Sequence, residues 1–369
     1  MKDFYCWTII KYIVVGLLIT AILVLLKINV EKSNFGRSFE LFTYEQLQNF
    51  VPSHSSLDKL PVVVDTSNYP QIKVGSENYT DREKLIETII SISEQKPRAI
   101  GVDIIFSLQN GKWRTQFDEE FLESCLKISE EKGIPIFLGV DTEMKTGNPA
   151  AWLGSEKFKE MAVSIAVSKN KNDSHRFLLW ARDQNQTEKL PSMGFALAEA
   201  ERKQNSKNIQ PPRWLNWAIE TVDGFPGRKN TENGVEYVDA LLNLSKLKDL
   251  EVMTLPLDSS KSIEEFGKDF LRNRIVILGD GGNSDISANG TRGVYIHASA
   301  TYTLLREPIY EFKGWVRILV DFTIPLIVFI IIAFKRWKNR NISPPYKWSN
   351  RQRLIFGIGC FCISIFAII

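Results

Sequence analysis

Residues 99–103 read Ala-Ile-Gly-Val-Asp, a short apolar run that ends in a carboxylate. Segments with the apolar periodicity of helices lie on both sides, at 81–94 before the run and at 117–132 after it. Gly133 ends the second of these predicted helices. A short apolar strand between two helices is typical of a β-α-β unit, whose strands are parallel. Residues 99–102 are therefore predicted to be a buried strand of a parallel sheet.

Three further apolar runs, at 60–64, 134–140 and 274–279, predict more strands of the same kind. Helices are predicted over 192–204, 266–273 and 296–305. Between these elements the pattern is less regular. Residues 162–166 and 176–180 are predicted to pair around the polar turn 170–173, and 205–229 to cross the surface. The predicted fold class is α/β, with a mainly parallel sheet and flanking helices.

The predicted strands of this sheet run into acidic residues, namely Asp65, Asp103, Asp141 and Asp280. The carboxyl ends of parallel strands share one edge of a sheet, where open α/β folds bind their ligands. Clustered carboxylates would suit a hard cation, an amine or a polyhydroxyl ligand. An aspartate in this position also caps helices and accepts hydrogen bonds from turn amides, and that alternative stays open for each of them.

His297 opens the last predicted helix, where a structural role is favoured over ligation. Because it is expected near the aspartate edge, it is kept with Asp65, Asp103, Asp141 and Asp280 as a candidate ligand-binding residue. The three histidines are scattered, so no zinc motif is indicated. The sequence holds neither a Gly-x-Ser-x-Gly elbow nor a phosphate-binding Gly-x4-Gly-Lys-Ser/Thr loop. Gly279–Gly282 is interpreted as a turn, with an anion-binding nest as the weaker alternative. No catalytic residue is predicted, and Cys125 is expected to be a buried apolar residue.

Three apolar segments indicate membrane crossings, at 9–27, 317–335 and 354–369. The connection 336–353 carries many cations and no acid, which places it in the cytoplasm. The large domain 28–316 then lies outside, and 1–8, on the other side of the first crossing, lies in the cytoplasm. The charges that flank the first segment are less decisive. A cleaved signal peptide is the alternative for the first segment, although no small-residue cleavage site follows it. We expect a multi-pass protein of the inner (plasma) membrane.

The formal net charge is only +3, and the domain has no basic stripe interleaved with aromatic residues. A nucleic-acid partner is therefore not expected. The soluble domain has one cysteine, so it is not stapled by an internal disulfide bond.

Four blocks of sequence resemble the signature blocks of the CHASE2 family, in the same order. The blocks are Val62-Val63-Val64-Asp65, then 97–106, then 274–279, then 293–300, and the resemblance covers roughly residues 40 to 310. CHASE2 is an extracytoplasmic sensory domain of bacterial receptors, usually followed by three membrane helices and a kinase or cyclase. In this sequence two predicted membrane segments follow the domain, and no such output signature is found. The resemblance implies a sensor that acts through a separate output protein, or a fragment of a longer receptor.

Two functions are carried forward. The first is a membrane-anchored sensory domain that binds an unknown small molecule or ion and signals through its membrane helices. The alternative is an extracytoplasmic metal-dependent hydrolase that uses the aspartate-lined crevice. Sensing is favoured because the sequence offers no evident nucleophile or general base, whereas apolar segments flank both ends of the domain. A structural membrane protein that binds a neighbour is a third possibility, and the identity of any cofactor stays open.

Overall fold

The computed structural model describes residues 60–74, 77–106, 113, 115–140, 153–166, 176–183, 189–205, 218–232, 234–243, 247–256, 263, 267, 269–281 and 292–320, and single positions within 18–22 and 322–331. The chain divides into two compact units. One is Pro52–Glu311, and the other combines Met1–Val51 with Phe312–Ile369. Every element named below belongs to Pro52–Glu311.

In chain order the strands are β1 (Val62–Asp65), β2 (Gln71–Val74), β3 (Glu77–Thr80), β4 (Ala99–Ile105), β5 (Ile136–Val140), β6 (Ala162–Ser164), β7 (Arg176–Asp183), β8 (Leu190–Pro191), β9 (Thr221–Val222), β10 (Phe225–Pro226), β11 (Arg228–Glu232), β12 (Val235–Leu241), β13 (Leu255–Pro256) and β14 (Ile275–Gly279). The helices are α1 (Arg82–Glu94), α2 (Asp118–Lys132), α3 (Met193–Asn205), α4 (Leu247–Val252) and α5 (Gly293–Leu305). A 3₁₀ helix covers Glu156–Met161.

The central sheet has six strands in the order β13-β1-β14-β4-β5-β6. Every neighbouring pair in it is parallel. Its inner strands are short and apolar, and β14 is buried along its whole length, as expected for strands that are covered on both faces. The predicted parallel α/β architecture is confirmed, and the strands that lead to Asp65, Asp280 and Asp103 are neighbours in the order β1-β14-β4.

Helices cover the two faces of this sheet and enclose two hydrophobic cores. On one face α1 and α2 contribute Leu85, Ile89 and Leu122 to a core with the strand residues Val62 and Val102. Cys125 lies in this core, and burial raises the pKa of its thiol, so the prediction of a buried apolar cysteine is confirmed. On the other face α3 and α5 pack over strand residues such as Val63 and Ile277. All thirteen residues of α5 are buried.

A second sheet corrects the predicted pairing of 162–166 with 176–180. Strand β6 is a member of the central sheet, whereas β7 belongs to an antiparallel sheet ordered β11-β12-β7-β8. The three residues of β6 are small or apolar and all are buried, and β6 pairs in parallel with β5 as the last strand of the central sheet. Strand β7 instead carries charges that match its partner, because Arg182 lies opposite Glu236 of β12 and forms an ion pair with it.

Other sequence predictions need smaller corrections. The segment 205–229 was expected to be a surface excursion, yet its described part contains β9, β10 and the start of β11. The helix predicted over 266–273 is a series of turns at its described positions, 267 and 269–273. Helix α5 begins at Gly293 rather than at residue 296, because Arg292 is the last residue with extended backbone angles. Strand β4 continues to Ile105, so Asp103 lies within a strand rather than after it.

The predicted membrane segment 354–369 lies outside the described residues, as do 1–8 and 336–353. Segment 9–27 is described only at 18, 21 and 22, and 317–335 only at 317–320 and at six scattered positions after them. Among the positions that the structure does describe, no helix combines the length and apolar character needed to cross a membrane.

Candidate functional site

Two of the predicted acids lie in one row of the central sheet, meaning a set of paired residues on neighbouring strands. Gly279 of β14 pairs with Asp65 of β1 on one side and with Asp103 of β4 on the other. Paired residues on neighbouring strands point to the same face, and this face carries Val63 and Ile277 two residues earlier. Strands are spaced by about 4.8 Å, which puts the Cα atoms of the two acids roughly 10 Å apart. The sheet therefore presents Asp65 and Asp103 on either side of a glycine, beneath α5.

Gly279 is required here because its neighbours already fill the space that a side chain would take. A Cβ atom built at Gly279 would lie 2.9 Å from Cγ2 of Val294 and 3.0 Å from Cβ of Asp103. Val294 is in the first turn of α5 and is completely buried. The absence of a side chain at position 279 thus lets the start of α5 contact the sheet between the two acids.

Asp103 faces His297, which also comes from the start of α5. Their nearest side-chain atoms, Oδ1 of Asp103 and Nε2 of His297, are 3.6 Å apart, and the side chains expose only 5% and 3% of their surfaces. His297 thus lies beside Asp103 in the interface between helix and sheet. A buried polar ring and a buried carboxylate there offset each other's loss of water.

Asp65 holds the turn that follows β14. Its Oδ1 atom accepts hydrogen bonds from the backbone amides of Ser67, at 2.9 Å, and of Gly281, at 2.8 Å. Gly281 lies so close that a Cβ atom added to it would be 2.6 Å from the carboxyl carbon of Asp65. The carboxylate thus performs the amide-binding role that the sequence left open, and it joins the ends of β1 and β14.

The two other predicted acids differ in what the structure shows of them. Asp280 is the first residue after β14 and is partly buried. Asp141 follows β5 and lies outside the described residues. Within the part of the chain that is described, no group of three or more His, Cys, Asp or Glu side chains is arranged to hold a metal ion. Asp65, Asp103 and His297 therefore form the structurally defined part of the candidate site.

A buried ion pair near the same edge, on the opposite face of the sheet, was not predicted. Arg82 Nε donates to Oδ1 of Asp118 at 2.7 Å, and the two side chains expose 1% and 0% of their surfaces. The guanidinium also lies 4.6 Å from the ring centre of Phe106, the residue after β4. Asp118 accepts two more hydrogen bonds, from the amide and the hydroxyl of Thr115. The only signal in the sequence was an acid in the first turn of a predicted helix, which is common at exposed helix starts as well.

The comparisons with known proteins identify the family. The model of the CHASE2 domain matches residues 15–334, which is most of the chain. Neither the curated proteins nor the solved structures contain a match. This match includes the four blocks of sequence on which the resemblance rested. The chain belongs to the CHASE2 family of extracytoplasmic sensory domains.

Proposed function

We propose that this protein is a sensor of the inner (plasma) membrane whose domain 28–316 lies outside the cytoplasm. Segments 9–27, 317–335 and 354–369 cross the membrane in this proposal, and 1–8 and 336–353 are cytoplasmic. The cation-rich, acid-free connection 336–353 supports this orientation. Described residues of the second segment support a membrane crossing there, because Ile318, Leu319 and Ile331 expose 48%, 53% and 52% of their surfaces. Large apolar side chains of this exposure suit contact with lipid.

The proposed ligand site is the carboxyl edge of the central sheet, with Asp65, Asp103, Asp280 and His297 around it and Asp141 at the end of β5. Open α/β sheets bind ligands at this edge. In this proposal the ligand is a small cation, an amine or a polyhydroxyl compound. It would bind beyond the first turn of α5 and not next to Gly279, because Val294 already fills the space next to Gly279. Binding there would change the hydrogen bonds of Asp65 or the contact of Asp103 with His297.

Helix α5 is the observation that carries the proposal, because it connects this edge with the end of the domain. Its first turn holds Val294 and His297 against the acids, and its thirteen residues make it about 20 Å long. Every residue of the helix is buried, so the helix moves with its neighbours as a packed body. After Leu305 the chain continues toward the predicted membrane segment 317–335. A shift of α5 at the acids would thereby reach the membrane segments and a separate output protein.

Reporter fusions test the orientation. Fusions at Asn34 and Asn205 are expected to be active with a reporter that works only outside the cytoplasm, and fusions at Pro344 with one that works only inside. An extracytoplasmic signal at Pro344 would contradict the proposed topology.

Thermal unfolding of the full chain in detergent tests the site. The probes are calcium, magnesium, spermidine and a panel of neutral sugars, each added to the wild type, to Asp103→Asn and to Asp269→Asn. Asp269 is the matched control, since its side chain is 75% exposed and it precedes β14, whereas the acids lie at the carboxyl ends of the strands. A ligand present at a hundred times its dissociation constant stabilises the folded state by about 2.7 kcal/mol. The proposal requires that a probe which stabilises the wild type and Asp269→Asn loses its effect in Asp103→Asn.

A further inference from the structure

A cavity of about 230 Å³ lies at the opposite, amino edge of the central sheet. Residues that precede three neighbouring strands line it, namely Leu60 before β1, Arg98 before β4 and Arg274 before β14. Glu201 of α3 and Arg306, directly after α5, complete its charged lining. The cavity therefore lies where α5 ends, whereas the row of acids lies where α5 begins.

The charges around this cavity are unequal. Three guanidinium groups and one carboxylate line it, and its remaining lining residues are uncharged, which leaves an excess of two positive charges. Arginine stays protonated in proteins, so the excess persists at every physiological pH. A partly open cavity with this charge favours an anion over a cation or a neutral ligand.

Each guanidinium donates a hydrogen bond that orients it. Nε of Arg98 donates to the carbonyl oxygen of Asn273 at 2.9 Å, and Nη2 of Arg274 donates to that of Leu60 at 3.2 Å. Nη2 of Arg306 donates to Glu201. The bond of Arg98 leaves its planar pair of Nη groups as remaining donors. These bonds orient the side chains in advance, which lowers the entropy lost when a ligand binds.

Arg306 supplies a second indication of an acceptor. Its Nε atom is buried and has no hydrogen-bond partner in the described part of the chain. A buried donor of a charged group is costly to leave unused, so this donor indicates a place for an oxygen atom from outside the chain.

The dipoles of the helices explain only part of this cluster. Helices α3 and α5 both end near the cavity, and the carbonyl end of a helix attracts cations such as Arg306. Arg98 and Arg274 precede strands instead, so helix ends do not account for them. Their shared position beside one cavity calls for a ligand that interacts with several guanidinium groups at once.

We propose that the cavity at the amino edge binds a phosphate group through Arg98, Arg274 and Arg306. Phosphate oxygens match the fork of the guanidinium group and accept bidentate hydrogen bonds. The volume suits a phosphate with a small substituent rather than a drug-sized ligand. The phosphate comes either from solution or from an anionic lipid headgroup. The lipid source rests on the proposed membrane topology, because the sequence reaches the apolar stretch 318–334 soon after Arg306.

Titration of the full chain in detergent with inorganic phosphate at constant ionic strength tests the proposal. Arg98→Gln and Arg274→Gln are each expected to weaken phosphate binding at least about tenfold, since each removes a charge-assisted contact. Arg272→Gln is the matched control, because Arg272 is 58% exposed, does not line the cavity and is two residues from Arg274. This variant is expected to change the affinity less than about twofold, since salt screens an exposed charge.

Arg98→Lys is a second variant that separates a lost phosphate contact from a loss of folding. The melting temperature in chloride buffer shows whether each variant is folded. Lysine keeps the charge but not the planar fork, so an intermediate phosphate affinity is expected from a folded protein. Equal affinities in the wild type, Arg98→Gln and Arg274→Gln would overturn the proposal. An equal loss in Arg272→Gln would overturn it too, because the effect would then be one of net charge alone.

Nanodiscs separate the two sources of phosphate. The wild type is compared in discs of phosphatidylcholine alone and in discs that also contain phosphatidic acid. Weaker binding of inorganic phosphate in the second kind of disc identifies the lipid as the occupant, and unchanged binding identifies phosphate from solution. A response to neither inorganic phosphate nor phosphatidic acid would refute the site. Failure of the membrane topology would remove the lipid source while leaving the titration in detergent unaffected.

Discussion

His297 Nε2 lies 3.6 Å from Oδ1 of Asp103, and this contact joins α5 to the central strand β4 in a nearly water-free interface. Asp103 is also the residue whose Cβ atom borders the space over Gly279. The Asp103 side chain therefore contacts the helix through its carboxylate and borders, through its Cβ atom, the space into which the helix packs. Any change in the charge or position of Asp103 is expected to alter the packing of α5 at its first turn.

A double-mutant cycle with Asp103→Ala and His297→Ala tests whether the two side chains act together. Each single change leaves a buried polar group without its neighbour, which costs about 1–3 kcal/mol in the free energy of unfolding. The double variant removes both groups and is expected to lose less than the sum, with a coupling of about 0.5–3 kcal/mol. Chemical unfolding of the full chain in detergent gives these values, and strictly additive losses would show that the contact contributes nothing.

Gly279→Ala is expected to destabilise the domain by about 1–3 kcal/mol, because the added methyl group meets Val294 and Asp103 at 2.9 and 3.0 Å. The change would push the first turn of α5 away from the sheet. Gly314→Ala serves as the control, since no atom lies within 4 Å of a Cβ atom built there. The melting temperatures of the two variants give the comparison, and similar values would contradict the tight packing over Gly279.

Asp65 allows its two roles to be separated. Asp65→Ala removes the acceptor for the amides of Ser67 and Gly281 and is expected to cost about 1–2 kcal/mol of stability. Asp65→Asn keeps an acceptor oxygen and is expected to cost much less, because Asn caps about as well as Asp. Under the proposed function Asp65→Asn also loses the response to a stabilising cation or amine. A full response in a stably folded Asp65→Asn would remove Asp65 from the ligand site and leave it as a turn residue.

The central sheet could be predicted from the sequence because its strands are short, continuous apolar runs. Such runs are typical of strands that are buried on both faces of a sheet. It also led to Asp65 and Asp103, since strand ends of a parallel sheet meet at one edge. The glycine between them was not recognised as a packing requirement, because that role depends on Val294, a residue of a helix that packs there only in three dimensions. The amide of Gly281 as a partner of Asp65 depends on the same long-range arrangement.

The antiparallel sheet shows where sequence patterns were insufficient. Strands β7 and β12 are far apart in the sequence, and their register depends on pairs such as Arg182 with Glu236. The local periodicity of a strand does not predict which distant strand carries the matching charge. The nearest apolar segment, β6, was therefore taken as the partner of β7, although burial on both faces assigns β6 to the central sheet.

The buried pair of Arg82 and Asp118 is expected to be costly to break and inexpensive to replace. Arg82→Met leaves the Asp118 carboxylate buried without its cation, at a cost of about 3–5 kcal/mol. The double variant Arg82→Met/Asp118→Leu removes both charges and is expected to recover much of that loss. Lys127→Met breaks an exposed pair with Glu131 and is expected to cost less than about 1 kcal/mol. Denaturant unfolding distinguishes these cases, and a double variant less stable than Arg82→Met would contradict the argument.

Asp239 of β12 is the centre of an ion-pair cluster, with Arg176 at 2.8 Å and Arg228 at 3.8 Å. Burial raises the pKa of Asp239 above its ordinary value, although both arginines lower it. The folded protein thus binds this proton more tightly than the unfolded chain does. The resulting stabilisation is complete below the unfolded pKa of about 3.9 and is lost as the pH rises through the folded pKa.

Asp239→Asn removes this titration while keeping the size of the side chain. The melting temperature of the variant is therefore expected to rise relative to the wild type between about pH 4 and about pH 7, because only the wild type pays for burying a charge at the higher pH. Asp269→Asn is the control for a 75% exposed aspartate, and its difference from the wild type is expected to stay nearly constant. A fall in the relative melting temperature of Asp239→Asn over this range would mean that Arg176 and Arg228 outweigh the cost of burial.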